Sequence, residues 1–152
     1  MEFNIAVVRK VAAIMAEEVR RKLEEGGQIL EMEQGLRELA QQVCGQGLQK
    51  VIEAQEEKYP IEIRCSCGYE AKAWGQREAV VWSVFGKVEY RRRYYLCPHC
   101  HRGQSPLDEQ LGLAPGQSTL GLASLLGILG VETSFEEASE IAETLPVISL
   151  ER

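Results

Sequence analysis

The 152-residue sequence predicts an α+β fold in which a β-rich centre lies between two helical ends. Through residues 4–52, apolar side chains recur every three or four positions, the spacing of one face of an amphipathic helix. Short segments rich in β-branched and aromatic residues follow Pro60, and helix-starting signals return after Gly103. We therefore expect three parts: a helical segment over 1–59, a small β module over 60–104, and a loop with two short helices over 105–152.

The first part carries two amphipathic runs. Gly26 and Gly27 separate them, and Pro60 ends the second. We expect a helical hairpin or two long helices. Its apolar stripes are either the core of this segment or a dimerisation surface, because two helices bury little on their own. The stripe residues are Ile5, Val8, Val11, Ala12, Met15, Val19 and Leu23 in the first run and Ile29, Met32, Leu36, Leu39, Val43, Leu48, Val51 and Ile52 in the second.

The second part has the alternation of short strands. Glu78–Phe85 and Lys87–Leu96 flank Gly86, which predicts an antiparallel hairpin. Two shorter strands, Ile61–Arg64 and Glu70–Trp74, are expected on either side of a turn between them.

The third part has capping signals for short helices. Ser134 with Glu137 three residues later is a capping box, and Pro146 is a stop signal. The predicted elements are a loop over 105–116, a helix capped by Ser118 that ends near 129, a second helix from 134 to about 143, and the start of a third at 149.

Composition and charge exclude several classes of protein. The chain is 45% hydrophobic and 26% charged, which excludes a disordered tail, a collagen-like repeat and a membrane span. Without a signal-peptide core, we expect a cytoplasmic protein. Residues 61–103 carry eight basic and four acidic side chains, against eight and eleven over 1–60 and one and eight over 104–152. The net charge of −6 therefore combines a basic central segment with two acidic flanking segments.

Four of the five cysteines form two close pairs. Cys65 and Cys67 are separated by one residue, Cys97 and Cys100 by two, and 29 residues lie between the pairs. In a cytoplasmic chain, paired thiolates favour a metal over disulfides, and four of them indicate a structural Zn²⁺ site. A mixed site in which His99 or His101 replaces a cysteine, and a site without metal, stay open. The fifth cysteine, at position 44, is expected in the core of the helical stripe.

One predicted strand is both basic and aromatic. Arginines on both of its sides can reach phosphates, and its tyrosines can stack or hydrogen-bond, as nucleic-acid surfaces require. The alternative is that the arginines pair with acidic groups of the flanking segments. The candidate DNA contacts are Lys87, Arg91, Arg92, Arg93 and Tyr94.

Beyond these patterns, an ordered set of segments follows Ile61. It comprises Cys67-Gly68, Val84–Val88, Tyr90–Tyr95, Cys97–Cys100 with Gly103, Ser105–Leu113, Ser118 with Leu120–Leu122, and Ser134–Ala138. This set resembles the N-terminal region of ISKra-type insertion-sequence transposases. The resemblance implies a zinc ribbon followed by helices that help to bind DNA ends. The two capped helices, the turn at Pro146 and the helix start at Ser149 fit an incomplete helix-turn-helix. Because transposases act on paired DNA ends, the resemblance also implies a homodimer through the N-terminal helices.

The same resemblance places the transposase catalytic carboxylates downstream of this region. The chain has a single aspartate, Asp108, which excludes mechanisms that need two or three aspartates. We therefore expect a non-catalytic zinc-binding, DNA-binding module with no small-molecule substrate and no membrane partner. The alternative is an adaptor protein in which zinc stabilises a protein-protein interaction module.

Overall fold

The computed structural model describes residues 4–23, 27–132, 134 and 137. Within these residues, the elements in chain order are α1 (Ile5–Lys22), α2 (Ile29–Glu56), β1 (Glu62–Arg64), β2 (Glu70–Ser83), β3 (Gly86–Leu96), β4 (Gly103–Gln104), α3 (Pro106–Leu111) and α4 (Leu120–Glu132). The predicted α+β class is confirmed. Of the described helices, none has the length and apolar character needed to cross a bilayer.

The chain divides into two compact units, and the boundary lies within α2, between Cys44 and Gly45. In the first unit, the Asn4 side chain caps α1 by accepting the Ala6 N–H at 2.9 Å. The side chain of Val19 packs against Gly35 of α2, where an added Cβ would lie 3.0 Å from a Val19 methyl group. Val19 is the one buried side chain among the described residues of this unit, and Cys44 is exposed, contrary to the core position predicted for it.

The second unit is built on an antiparallel sheet in the order β1-β2-β3-β4. The two predicted strands Glu70–Trp74 and Glu78–Phe85 are one continuous strand, β2, with a bulge between Ala73 and Gly75. The predicted hairpin turn at Gly86 is confirmed, and this glycine adopts a φ of 94°, which a side chain would disfavour.

Residues on both sides of this sheet form small apolar clusters. The larger cluster joins the end of α2, the β2–β3 hairpin and α3, and it consists of Ile52, Ala79, Val81, Val88, Tyr90 and Leu107. The smaller cluster consists of Cys65, Ala71, Tyr95 and Cys97. Because successive strand residues point to opposite faces, Tyr90 and Tyr95 of β3 serve different clusters.

The C-terminal elements differ from the prediction in two places. The predicted 105–116 loop contains α3, which begins with Pro106, a residue suited to the first helical position because its missing N–H would have no partner there. Thr119, not Ser118, caps α4, since its hydroxyl accepts the Leu122 N–H at 3.4 Å. The Ser134–Glu137 capping box is confirmed by reciprocal bonds of 3.0 and 3.3 Å. The predicted helix from 134 to 143 beyond this box, and the third helix at 149, lie outside the described residues.

Candidate metal centre and the basic strand

The first cysteine pair lies in the turn between β1 and β2. The Cys65 N–H donates to the Tyr69 carbonyl at 2.8 Å, and the Gly68 N–H donates to the Cys65 carbonyl at 2.9 Å. Gly68 has a φ of 90°, so the glycine allows the chain to reverse directly after Cys67. The turn therefore holds Cys65 buried and Cys67 at the surface.

The second pair lies in a similar turn after β3. The Cys97 N–H donates to the Arg102 carbonyl at 3.1 Å, and the His101 N–H donates to the Cys97 carbonyl at 2.9 Å. Cys97 is buried and Cys100 is exposed, as in the first turn. The Arg102 guanidinium donates to the Ser66 hydroxyl at 3.1 Å and so links the two turns.

The four sulfur atoms meet between these turns. The Cys65 and Cys100 Sγ atoms are 3.6 Å apart, and those of Cys67 and Cys97 are 3.5 Å apart. All four Sγ atoms lie within 4.8 Å of one another. A tetrahedral zinc ion with bonds of about 2.3 Å needs sulfur atoms about 3.8 Å apart. The cluster therefore has the donor set and the spacing of a four-thiolate metal site.

The local electrostatics differ among these thiols. The Cys67 N–H bonds to the Cys65 sulfur and lowers the pKa of that thiol to about 6. The Cys100 N–H lowers the pKa of Cys97 in the same way. At Cys67 a bond from the Tyr69 N–H favours the thiolate, but local desolvation and the three neighbouring sulfurs raise the pKa to about 12. Four thiolates at this spacing repel one another unless a cation lies among them.

The two histidines beside the second pair lie outside this cluster. Among the described residues, the group placed to hold an ion contains four cysteines and neither histidine. The His99 ring stacks on Tyr69, with centroids 3.8 Å apart and an interplanar angle of 9°. His101 is exposed and has a φ of 56°. The stack gives His99 a packing role above the turns.

Two of the predicted DNA-contact arginines are paired with buried acids. Arg92 forms an ion pair with Asp108 of α3, and both side chains are only 12% exposed. The Arg93 N–H donates to the Glu56 carboxylate at 2.8 Å, and the Arg93 guanidinium lies 3.8 Å from the same oxygen. Burial raises the pKa of Glu56, which the contact with Arg93 opposes. These pairs hold the end of α2 and α3 against β3.

The other three predicted contact residues lie nearer the surface. Arg91 is 67% exposed and 3.2 Å from Glu78 on the neighbouring strand. Lys87 forms a similar exposed pair with Glu89 at 2.9 Å. Tyr94 is half-buried, and the Arg77 guanidinium lies 3.7 Å above its ring.

The structure also shows a solvent-exposed segment of β2 that the strand pattern did not indicate as a candidate binding surface. Residues 74–78, here termed the bulge segment, are all exposed, and the Trp74 side chain is 72% exposed. Gly75, with a φ of 155°, lies at the bulge. An isolated glycine in a strand pattern is the signal that could have predicted a bulge at this point. Trp74 at the bulge and Arg77 beyond it are both exposed near the Cys97 end of β3.

Comparisons of the chain with protein-family models, with curated proteins and with solved structures find no match. The functional argument therefore depends on the side chains of the sheet and its cysteine cluster.

Proposed function

We propose that this chain is a non-catalytic DNA-binding module in which a structural zinc ion joins the two cysteine turns. The observation that supports it is the convergence of four sulfurs beside the exposed side chains of Trp74, Arg77 and Arg91. Cys65, Cys67, Cys97 and Cys100 would hold the ion, which supplies folding free energy rather than chemistry in a closed four-thiolate site. Sulfur donors favour zinc over magnesium or calcium, which prefer oxygen.

The metal assignment is tested by elemental analysis of the full chain purified under reducing conditions. We expect about one zinc per chain, the stoichiometry of a closed four-thiolate site. Cys100→Ser removes an exposed ligand and should lower the zinc content and weaken zinc retention against a chelator. Cys44→Ser, an exposed cysteine outside the cluster, is the matched control and should change neither. Less than about half a zinc in the wild type would exclude the four-thiolate site.

The DNA surface is assigned to the bulge segment and its neighbours. Arg77 and Arg91 lie on opposite faces of the β2–β3 ribbon, so they can meet phosphates on either side of it. The exposed Trp74 ring can stack on a base or lie against a sugar. Lys72 extends the surface on the Arg77 face of the ribbon and is 68% exposed beside Glu62. Exposed ion pairs are worth little, so phosphates can replace Glu62 and Glu78 as partners at small cost. The resemblance to transposase N-terminal regions points to the same ligand.

The DNA assignment is tested by fluorescence anisotropy with random duplex DNA at several salt concentrations. We expect binding that weakens steeply with salt, and a log–log slope that falls by about 2 in Arg77→Ala/Arg91→Ala, because each phosphate contact contributes about 0.9. Arg20→Ala/Arg21→Ala removes two exposed, ion-paired arginines from α1 and is the matched control. Equal losses in both double variants would contradict the assignment to the bulge segment.

The Arg92–Asp108 and Arg93–Glu56 pairs favour a second candidate, the protein-interaction adaptor. In that function the arginines serve the packing of α2 and α3, and the stapled sheet supports a protein-binding surface. Absence of DNA binding by the zinc-loaded chain at low salt would reject the DNA function and leave the adaptor.

A further inference from the structure

An apolar seam runs along the first half of α2. Its members are separated by three, four, three and four residues, so at 100° per residue they share one side of the helix over about 21 Å. Four of them are exposed: Ile29 by 71%, Met32 by 40%, Leu36 by 38% and Val43 by 43%. The fifth, Leu39, is half-buried.

Helix α1 covers only one edge of this seam, where Val19 and Leu23 line a pocket with Gly35, Leu39 and Gln42. It packs on α2 through Val19, which faces Gly35. Gly35 lies about a quarter of a turn from the centre of the seam. The described part of the first unit thus buries one side chain and leaves four of the five seam side chains exposed. Helices of this size gain most of their stability from packing of an apolar face, so the stripe needs a partner.

We infer that the partner is a second copy of this chain, whose α2 seam pairs with this one as a parallel two-stranded coiled coil. Ile29, Leu36 and Val43 occupy the a positions, and Met32 and Leu39 occupy the d positions. Branched residues at a with leucine at d favour two parallel strands. This inference is independent of the proposed DNA function.

The residues that flank the seam fit pairing with an identical helix. The e and g positions determine partner choice through charge, and in this helix they are Gln28, Glu33, Gly35, Ala40 and Gln42. Of these five residues only Glu33 is charged, so no like charges face one another across a symmetric interface. The five residues also provide no basic or acidic row that would select an unlike helix.

The association is tested by sedimentation equilibrium of the full chain from about 1 to about 100 μM, since pairing follows mass action. We expect a dimer for the wild type and a monomer for Leu36→Lys. Leu30→Lys is the matched control: Leu30 is a more exposed leucine, at 57%, on another side of the same helix, and its variant should remain dimeric. Circular dichroism checks that each variant keeps its helices. A monomeric wild type, or equal dissociation by both variants, would overturn the inference.

Disulfide trapping tests the parallel direction. In a Cys44→Ser background, Ile29→Cys should form a dimer on mild oxidation, because parallel a positions face one another. Leu30→Cys should not, and the Cys44→Ser parent provides the blank. In an antiparallel pair the two Ile29 positions lie at opposite ends of the seam. A dimer that Ile29→Cys fails to trap would therefore refute the parallel arrangement.

Discussion

Asp108 is the buried acid on which the packing of α3 against β3 depends. Its carboxylate accepts a 2.8 Å bond from the Tyr90 hydroxyl through one oxygen and pairs with Arg92 through the other. The substitution Asp108→Asn keeps the volume and an acceptor for Tyr90 but removes the charge. It leaves the Arg92 guanidinium, only 12% exposed, without a carboxylate.

The expected loss is about 3 kcal/mol in the free energy of unfolding. Removing one member of a buried ion pair costs about 3 to 5 kcal/mol, because the remaining charge is uncompensated. The lower value applies since the Arg92 Nη1 atom is already buried without a hydrogen-bond partner. Glu78→Gln is the matched control: Glu78 is 79% exposed and Arg91 is 67% exposed, and an exposed pair contributes about 0 to 1 kcal/mol.

Urea unfolding at a fixed zinc concentration measures both variants through the fluorescence of Trp74 and Trp82, which lie in β2. The double variant Arg92→Met/Asp108→Asn removes both charges and should recover most of the loss, since a neutral pair carries no stranded ion. The reasoning is refuted if Asp108→Asn costs no more than Glu78→Gln, or if the double variant is less stable than the single one.

Two further predictions concern packing and pH. In Gly103→Ala the new Cβ would overlap the Tyr94 hydroxyl and displace the ring under Arg77, which should lower the free energy of unfolding by about 1 to 3 kcal/mol. Gly47 lies in α2 with no atom within 4 Å of an added Cβ, so Gly47→Ala should raise the free energy of unfolding by about 0.5 to 1 kcal/mol. Thermal unfolding of both checks this, and shifts of equal sign would contradict it. Burial raises the pKa of Glu56 above 4.5, so its contribution to stability is full below about pH 4.5 and declines as pH rises through the raised pKa. The stability advantage of wild type over Glu56→Gln should therefore fall with rising pH, as urea midpoints can show, and a pH-independent difference would exclude this titration.

Local features of the sequence predicted most of the secondary structure. Spacings of three and four placed α1 and α2, and Gly86 marked the hairpin turn, because periodicity and turn chemistry act over a few residues. The prediction was wrong where a distant partner decides the outcome. The two predicted segments form the single strand β2 because every residue of β3 has a partner on it, from Lys72 to Ser83. Gly75 is accommodated as a bulge in that ladder.

The sequence by itself determined which residues could form the metal site, the two close cysteine pairs, and it indicated a basic strand between acidic flanks. Only the tertiary structure decided how they are used. It brings four sulfurs within 4.8 Å of one another, which spacing along the chain cannot specify. It also commits Arg92 and Arg93 to Asp108 and Glu56 and leaves Arg77 and Arg91 in solvent. Alternation along a strand fixes the face of each arginine, but the helix packed there decides whether an acid or water meets it.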